Sequence, residues 1–126
     1  MSGRSPKCVF NFERNTASIV AGAGEAAPSS MPSSQAGAFF VEPLAAIAIA
    51  VKCSTHTNFD IQLWGAVTDS GAWYKVSNTS ITAQTSFVEE FSCACLKYMY
   101  VQIASTSGAG SEAYQILGRG VARKER

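Results

Sequence analysis

Histidine occurs once in this chain, at position 56, and charged residues make up only 15% of its 126 positions. The lone imidazole sits in Ser54-Thr-His-Thr-Asn58, a stretch with the composition of a hairpin loop. Asp60 follows four residues later, but no nucleophile elbow or similar signal places a serine and a buried carboxylate around it. His56 therefore reads as a surface loop residue, and neither Ser-His-Asp nor Cys-His catalysis is indicated. Glu89 and Glu90 are adjacent, so in a strand they point to opposite faces and cannot work as an acid–base couple. Long hydrophobic runs are missing too. The longest, Leu44 to Val51, has eight residues, against the ~20 that a membrane helix needs, and it is too far from the N-terminus to be a signal-peptide core. No segment has convincing helical periodicity. The glycine pairs Gly108-Ala-Gly110 and Gly118-Arg-Gly120 precede no helix, so neither reads as a phosphate loop, and the first reads as a hairpin turn. These absences predict a non-enzyme with no catalytic residue, no cofactor and no metal.

Cysteine is present but sparse, at Cys8, Cys53, Cys93 and Cys95. An even count permits two disulfides, yet nothing marks secretion and a β-domain of this length needs no staples. Cys93-Ala-Cys95 places two thiols on one face of an extended strand. Structural zinc sites prefer two to four residues between paired cysteines, and a second compact pair is lacking. The expected state is reduced, buried thiols acting as small apolar side chains, which fits assembly in a cytoplasm.

The low charged fraction, against about 25% in ordinary domains, is made up by Ser, Thr, Ala and Gly. Interface centres are depleted in charge, so such a body suits one that covers much of its surface with neighbours. Residues 38–118 carry three lysines against six carboxylates, net −3, while the two ends carry seven cations against three carboxylates, net +4. Basic ends can dock on the acidic body of another copy, or simply keep the chain soluble.

What the chain does have is period-two alternation. Ile47, Ile49, Val51 and Cys53 alternate with Ala46, Ala48 and Ala50, giving a strand with one bulky and one small face, the pattern of a central strand. Further strands are expected at 38–42, 59–67, 73–76, near 80–83, and at 86–91, 98–105 and 113–118, with Pro43 bending the first of these. Seven or eight short strands predict an all-β fold, an antiparallel β-sandwich of jelly-roll or immunoglobulin-like type. Three regions follow: an N-terminal arm and linker at 1–37, the sandwich at 38–120, and a basic tail at 121–126. Residues 21–37 have linker composition, small residues with two prolines, which bury little apolar area to offset ordering entropy. Ahead of them Cys8 to Phe12, and Ala17 to Val20, could be strands. They form either an interaction arm or the first strand of the same sandwich reached through a long loop. As an arm, Val9, Phe10 and Phe12 would be apolar anchors, with Arg4, Lys7 and Arg14 as charge contacts.

Trp64, Trp73, Tyr74, Tyr98 and Tyr100 could form an aromatic platform, but such residues more often pack across strands. Basic residues are not interleaved with them, so nucleic acid is not an expected partner.

The run Gly65-x-x-x-Asp69-x-Gly71-x-Trp73, the isoleucine–threonine strand after it, Lys97-Tyr-x-Tyr-Val-x-Ile103 and Tyr-x-Ile-Leu-Gly-x-Gly120 resemble a small β-sandwich domain. That domain recurs in structural proteins of tailed bacteriophages, in head decoration, fibre and tail components. The resemblance covers about half the chain and rests on turn and core residues. The chain departs from the pattern in Tyr98-Met-Tyr100, where an arginine-flanked aromatic is common, and in its long N-terminal segment. The resemblance implies a virion structural protein, assembled in the host cytoplasm. Its implied role is a capsid decoration (cement) or head accessory subunit that contacts the major capsid protein and its own copies. The alternative is a carbohydrate-binding fibre or tail module in which Trp64, Trp73 and Tyr74 stack on sugar rings.

Overall fold

The computed structural model describes residues 8–20, 24–53, 59–76, 81–83, 86–93, 95–105 and 111–122. Nine strands follow in order: β1 (Cys8–Val20), β2 (Phe39–Phe40), β3 (Leu44–Cys53), β4 (Phe59–Ala66), β5 (Tyr74–Lys75), β6 (Ile81–Ala83), β7 (Ser86–Ser92), β8 (Tyr98–Ser105) and β9 (Ser111–Ala122). The helical element among these residues is a single 3₁₀ turn, Pro32–Ser34.

The strands form two antiparallel sheets. One has the order β1-β9-β3-β7, here sheet A; the other has the order β2-β8-β4-β5, with β6 also paired to β4, here sheet B. From β1 to β4 each strand lies in the sheet opposite its predecessor, and the same holds from β6 to β9. That alternation is the wiring of a jelly roll rather than of a stack of hairpins. The expected antiparallel sandwich is the observed fold.

Alternation explains the core. Leu44, Ile47, Ile49 and Val51 of β3 and Tyr114 and Ile116 of β9 face Ile61, Leu63, Met99, Val101 and Ile103 of sheet B, all nearly inaccessible to water. β3 lies inside its sheet, paired with β9 on one side and β7 on the other, as its two-faced sequence predicts. Glu89 and Glu90 stay exposed on the outer strand β7, in register with Ile49 and Ala48 and so on opposite faces. A charge directed inward at a sheet edge is a known guard against edge-to-edge pairing.

Of the two readings of the N-terminal segment, the structure shows the second. Cys8–Val20 is no free arm: it is the first strand of the sandwich, paired along its length with β9. Phe10 and Phe12 lie opposite Gly120 and Gly118 on the inner face. Their rings pack toward Phe39 of β2, with centroids 6.2 Å and 4.2 Å away. Gly118 leaves space that Phe12 and Ile47 fill, and Gly120 leaves space that Leu44 fills. β9 also runs on to Ala122, so the sandwich includes the start of the expected tail.

The linker-like stretch is ordered from Gly24 to Ala38 and straps sheet B. It begins with a bridge between Gly24 and Ala104 and a hydrogen bond from the Glu25 amide to the Ile103 carbonyl, 2.9 Å. It ends at Gly37, whose positive φ of 84° turns the chain into β2. Arg4, Lys7, His56, the 108–110 turn and residues 123–126 lie outside the described residues.

Candidate functional site

Two surfaces carry exposed apolar groups, and the strap packs against the aromatic residues of sheet B. The strap is tied down by polar contacts that a small-residue segment cannot supply by itself. Arg14, on the inner face of β1, pairs with Glu25 at 3.0 Å, both side chains being mostly buried at 17% and 15% exposure. The same guanidinium donates to the Val101 carbonyl and lies 5.0 Å from the Tyr100 ring centre. Gln102 Nε2 donates to the Glu25 carbonyl at 2.9 Å, and Trp64 Nε1 donates to Gln102 Oε1 at 2.7 Å. Trp73 Nε1 donates to the Ser30 carbonyl at 3.0 Å, and the Ser33 amide donates to the Asp69 carbonyl at 3.1 Å.

These contacts set the state of the aromatic residues. Lys75 Nζ lies 5.7 Å from the Trp64 ring centre, and the ring of Trp73 meets Tyr100 edge-on at 6.4 Å. Both indole N–H groups are used within the chain. Of the three rings read as a possible sugar platform, Tyr74 is the one displayed, at 64% exposure. Of the six residues read as arm contacts, Phe10, Phe12 and Arg14 have partners inside the sandwich. Val9 is exposed, and Arg4 and Lys7 lie outside the described residues.

The first apolar surface is one end of the sandwich. Phe40 packs edge-on against Tyr98 at 5.3 Å, and the Tyr98 hydroxyl donates to Asp69 Oδ1 at 3.1 Å. Lys97 Nζ lies 3.1 Å from the same oxygen. The hydrogen bonds from Lys97 and then Tyr98 hold the Asp69 carboxyl below its ordinary value of 3.8, and the bond to Asp69 raises Lys97 above 10.5. Loss of water around its hydroxyl, then the bond to Asp69, raises Tyr98. Phe40 is exposed, as are Val67, two residues before Asp69, and Met31, two residues before Ser33, whose amide donates to the Asp69 carbonyl.

The second surface is the outer face of sheet A. Ala46, Ala48 and Ala50 form its low floor on β3, in register with Val121, Arg119 and Leu117 on β9 and, on β7, with Ser92, Glu90 and Val88. Leu117 is 39% exposed and Val88 71%. A depression of about 460 Å³ opens over Ala46 and Ala48 with Glu90 and Arg119 at its sides, and a neighbouring one of about 550 Å³ lies between β1 and β9. Sequence reading finds the alanine face of β3, but only the register of three strands shows what stands beside it.

Cysteine placement differs from expectation. Cys93 is buried, with Sγ 3.6 Å from the Leu44 carbonyl, while Cys8 and Cys95 are exposed. β7 ends at Ser92, so Cys93 and Cys95 do not share a strand face. Among the described residues, no group of three His, Cys, Asp or Glu side chains could hold a metal, and no helix is long and apolar enough to cross a membrane.

No protein-family model matches the chain, and no curated protein matches its sequence. Among solved structures it is similar to the SPBc2 prophage-derived protein YomS, with 14% identity over 90% of this chain and 100% of that one, TM-score 0.48. It is similar to the globular domain of zebrafish complement 1qA, with 9% identity over 97% and 100%, TM-score 0.47. It is also similar to infectious bursal disease virus VP2, with 12% identity over 91% of this chain and 34% of that one, TM-score 0.42. At these values the likenesses carry nothing about function.

Proposed function

We propose that this chain is a bacteriophage virion structural protein, a capsid decoration or head accessory subunit that adheres to neighbouring capsid subunits through exposed patches on a rigid sandwich. The observation that carries the reading is the exposed Phe40, packed edge-on against Tyr98 of the Asp69–Lys97–Tyr98 network. An exposed ring held in place beside a polar network suits a patch that docks against a partner, with the polar groups at its rim. Repetition over a symmetric shell multiplies a modest contact into stable decoration. The residue-level contacts move accordingly from Phe10 and Phe12, which hold β1 in place, to the patch at this end. Removing residues 1–20 would strip an entire strand from sheet A, so a surface change is the cleaner test.

The experiment mixes the purified chain with shells of the parent particle that lack it and measures co-sedimentation. Binding by the native chain that falls about tenfold or more in Phe40→Ser, with an unchanged circular-dichroism spectrum, is the expected result. Failure of the native chain to bind at saturation refutes the reading. Glycan binding that disappears in Tyr74→Ala, without shell binding, would put the sugar-binding alternative in its place.

A further inference from the structure

We infer that the outer face of sheet A is an interface between two copies of this chain, related by a two-fold axis parallel to the strands and passing between β9 and β3. The inference is independent of the virion reading, because it concerns the isolated polypeptide in solution.

The register carries it. Outward-facing residues on β9 form a ridge, Leu117, Arg119 and Val121, and those on β3 form a trough, Ala46, Ala48 and Ala50, at the same levels along the strands. An axis midway between these two strands lays the ridge of each copy over the trough of the other. Leu117 then faces Ala50 of the second copy and Arg119 faces its Ala48. Ridge and trough match because one is built of long side chains and the other of methyl groups, so the sheets can approach closely where bulk meets space.

Charge follows the same symmetry. Glu90 lies one strand beyond Ala48, in register with it. An Arg119 placed over Ala48 of the second copy therefore lies about 5 Å to the side of that copy's Glu90 strand, within the reach of its side chain. The two-fold repeats the contact, so at this level the two Arg119 side chains lie on either side of the axis and each is flanked by Glu90 of the other copy, giving two symmetric ion pairs across the middle of the face. Moving the axis onto β9 would set ridge on ridge, and moving it onto β3 would set alanine on alanine and leave a gap. An axis across the strands at this level would set Arg119 against Arg119.

The area is sufficient. Four strands at ~4.8 Å spacing and the shared register from Ala46 to Lys52 give a face of about 20 by 24 Å. That is roughly 500 Å² per copy and about 1,000 Å² in total, the size at which specific association begins. The axis also lies at the centre of the four-stranded sheet, so β1 of each copy lies over β7 of the other, with Asn11 opposite Glu90 and Glu13 opposite Val88.

Sedimentation equilibrium of the full chain across the micromolar range, read together with circular dichroism, tests this. The expected result is a species of twice the 13.3 kDa chain mass. Arg119→Glu should weaken association about tenfold or more, and the swap Arg119→Glu with Glu90→Arg should restore it. Both sites are exposed, so neither change should disturb folding. Ala48→Glu, which fills the trough, should give a monomer. A monomer at every concentration, a mass of three copies, or a dimer indifferent to both Arg119→Glu and Ala48→Glu overturns the interface. A dimer that ignores empty shells would support this interface while refuting the capsid reading, and a monomer that binds them would do the reverse.

Discussion

Replacing Gly120 by alanine probes how tightly β9 is packed on its inner face. A Cβ at this position would lie 2.5 Å from Leu44 Cδ1 and 3.0 Å from Cδ2, and Leu44 is only 1% exposed. Leu44 must shift into a filled core, and overpacking of this kind costs ~1–3 kcal/mol. Removing a glycine from a strand returns about 0.5–1 kcal/mol. The net expectation is a loss of ~1–2 kcal/mol, or a midpoint lowered by roughly 3–10 °C for a domain of this size. Gly118 is the internal control. Its Cβ would lie 3.3 Å from Ile47 Cδ1, a contact that a small shift relieves. Gly118→Ala should therefore stay within about 0.5 kcal/mol of the native chain. Urea unfolding of both variants, and of Gly120→Ala combined with Leu44→Val, supplies the measurement. The double variant should lose less than the sum of its parts, because the smaller side chain vacates the clashing methyl. Gly120→Ala at or above native stability, or a larger loss for Gly118→Ala, would refute the inner-face packing described for β9.

Glu25→Gln should loosen the strap while leaving the sheets intact. The amide keeps an acceptor for the Ile103 N–H, 3.0 Å in the native chain, but leaves Arg14 without its counter-charge and with a buried Nε that already lacks a hydrogen-bond partner. A loss of ~1–3 kcal/mol is expected, with faster amide exchange over residues 24–35 and little change in β3 and β9; uniform acceleration would contradict it. Asp69→Asn should alter the pH profile at both edges. Asp69 is held low, so its contribution is present above 3.8 and fades as acid passes its folded value; Lys97 is held high, so its contribution is complete below 10.5 and fades as the pH rises through its folded value. The stability difference between native and Asp69→Asn proteins should be flat from about pH 5 to 9 and shrink at either end, and a difference that stays constant to low pH would refute the pairing.

Local pattern was enough to find most strands. Tyr98–Ser105 and the end of β3 at Cys53 fall where alternation puts them, and β4 and β7 end within a residue of the expected bounds. Each of these carries its own two-residue rhythm, which burial then satisfies. The strap was not legible for the opposite reason. Its small residues and prolines have no periodicity, and its order comes from Gln102, Trp73, Asp69 and Arg14, all distant in sequence. Composition measures what a segment can bury, whereas these hydrogen bonds depend on where its neighbours happen to stand. The apolar end is hidden in sequence for the same reason: Met31, Phe40 and Val67 belong to three separate segments.

The first strand shows how one more signal could have been read. Phe10 and Phe12 are two residues apart, as are Gly118 and Gly120, and an antiparallel pairing sets the larger pair across from the smaller. Two aromatics alone are equally good anchors for an arm, and two glycines alone are equally good turn residues. Taken together, the matched spacing suits a partner strand: glycines inside a strand waste packing unless bulky neighbours fill the space, here Phe12 over Gly118 and Leu44 over Gly120. Arg14 completes the match, since a cation on the inner face is tolerable only where a carboxylate such as Glu25 comes within reach. Complementarity between distant segments, rather than the character of either, places residues 8–20 in the sheet.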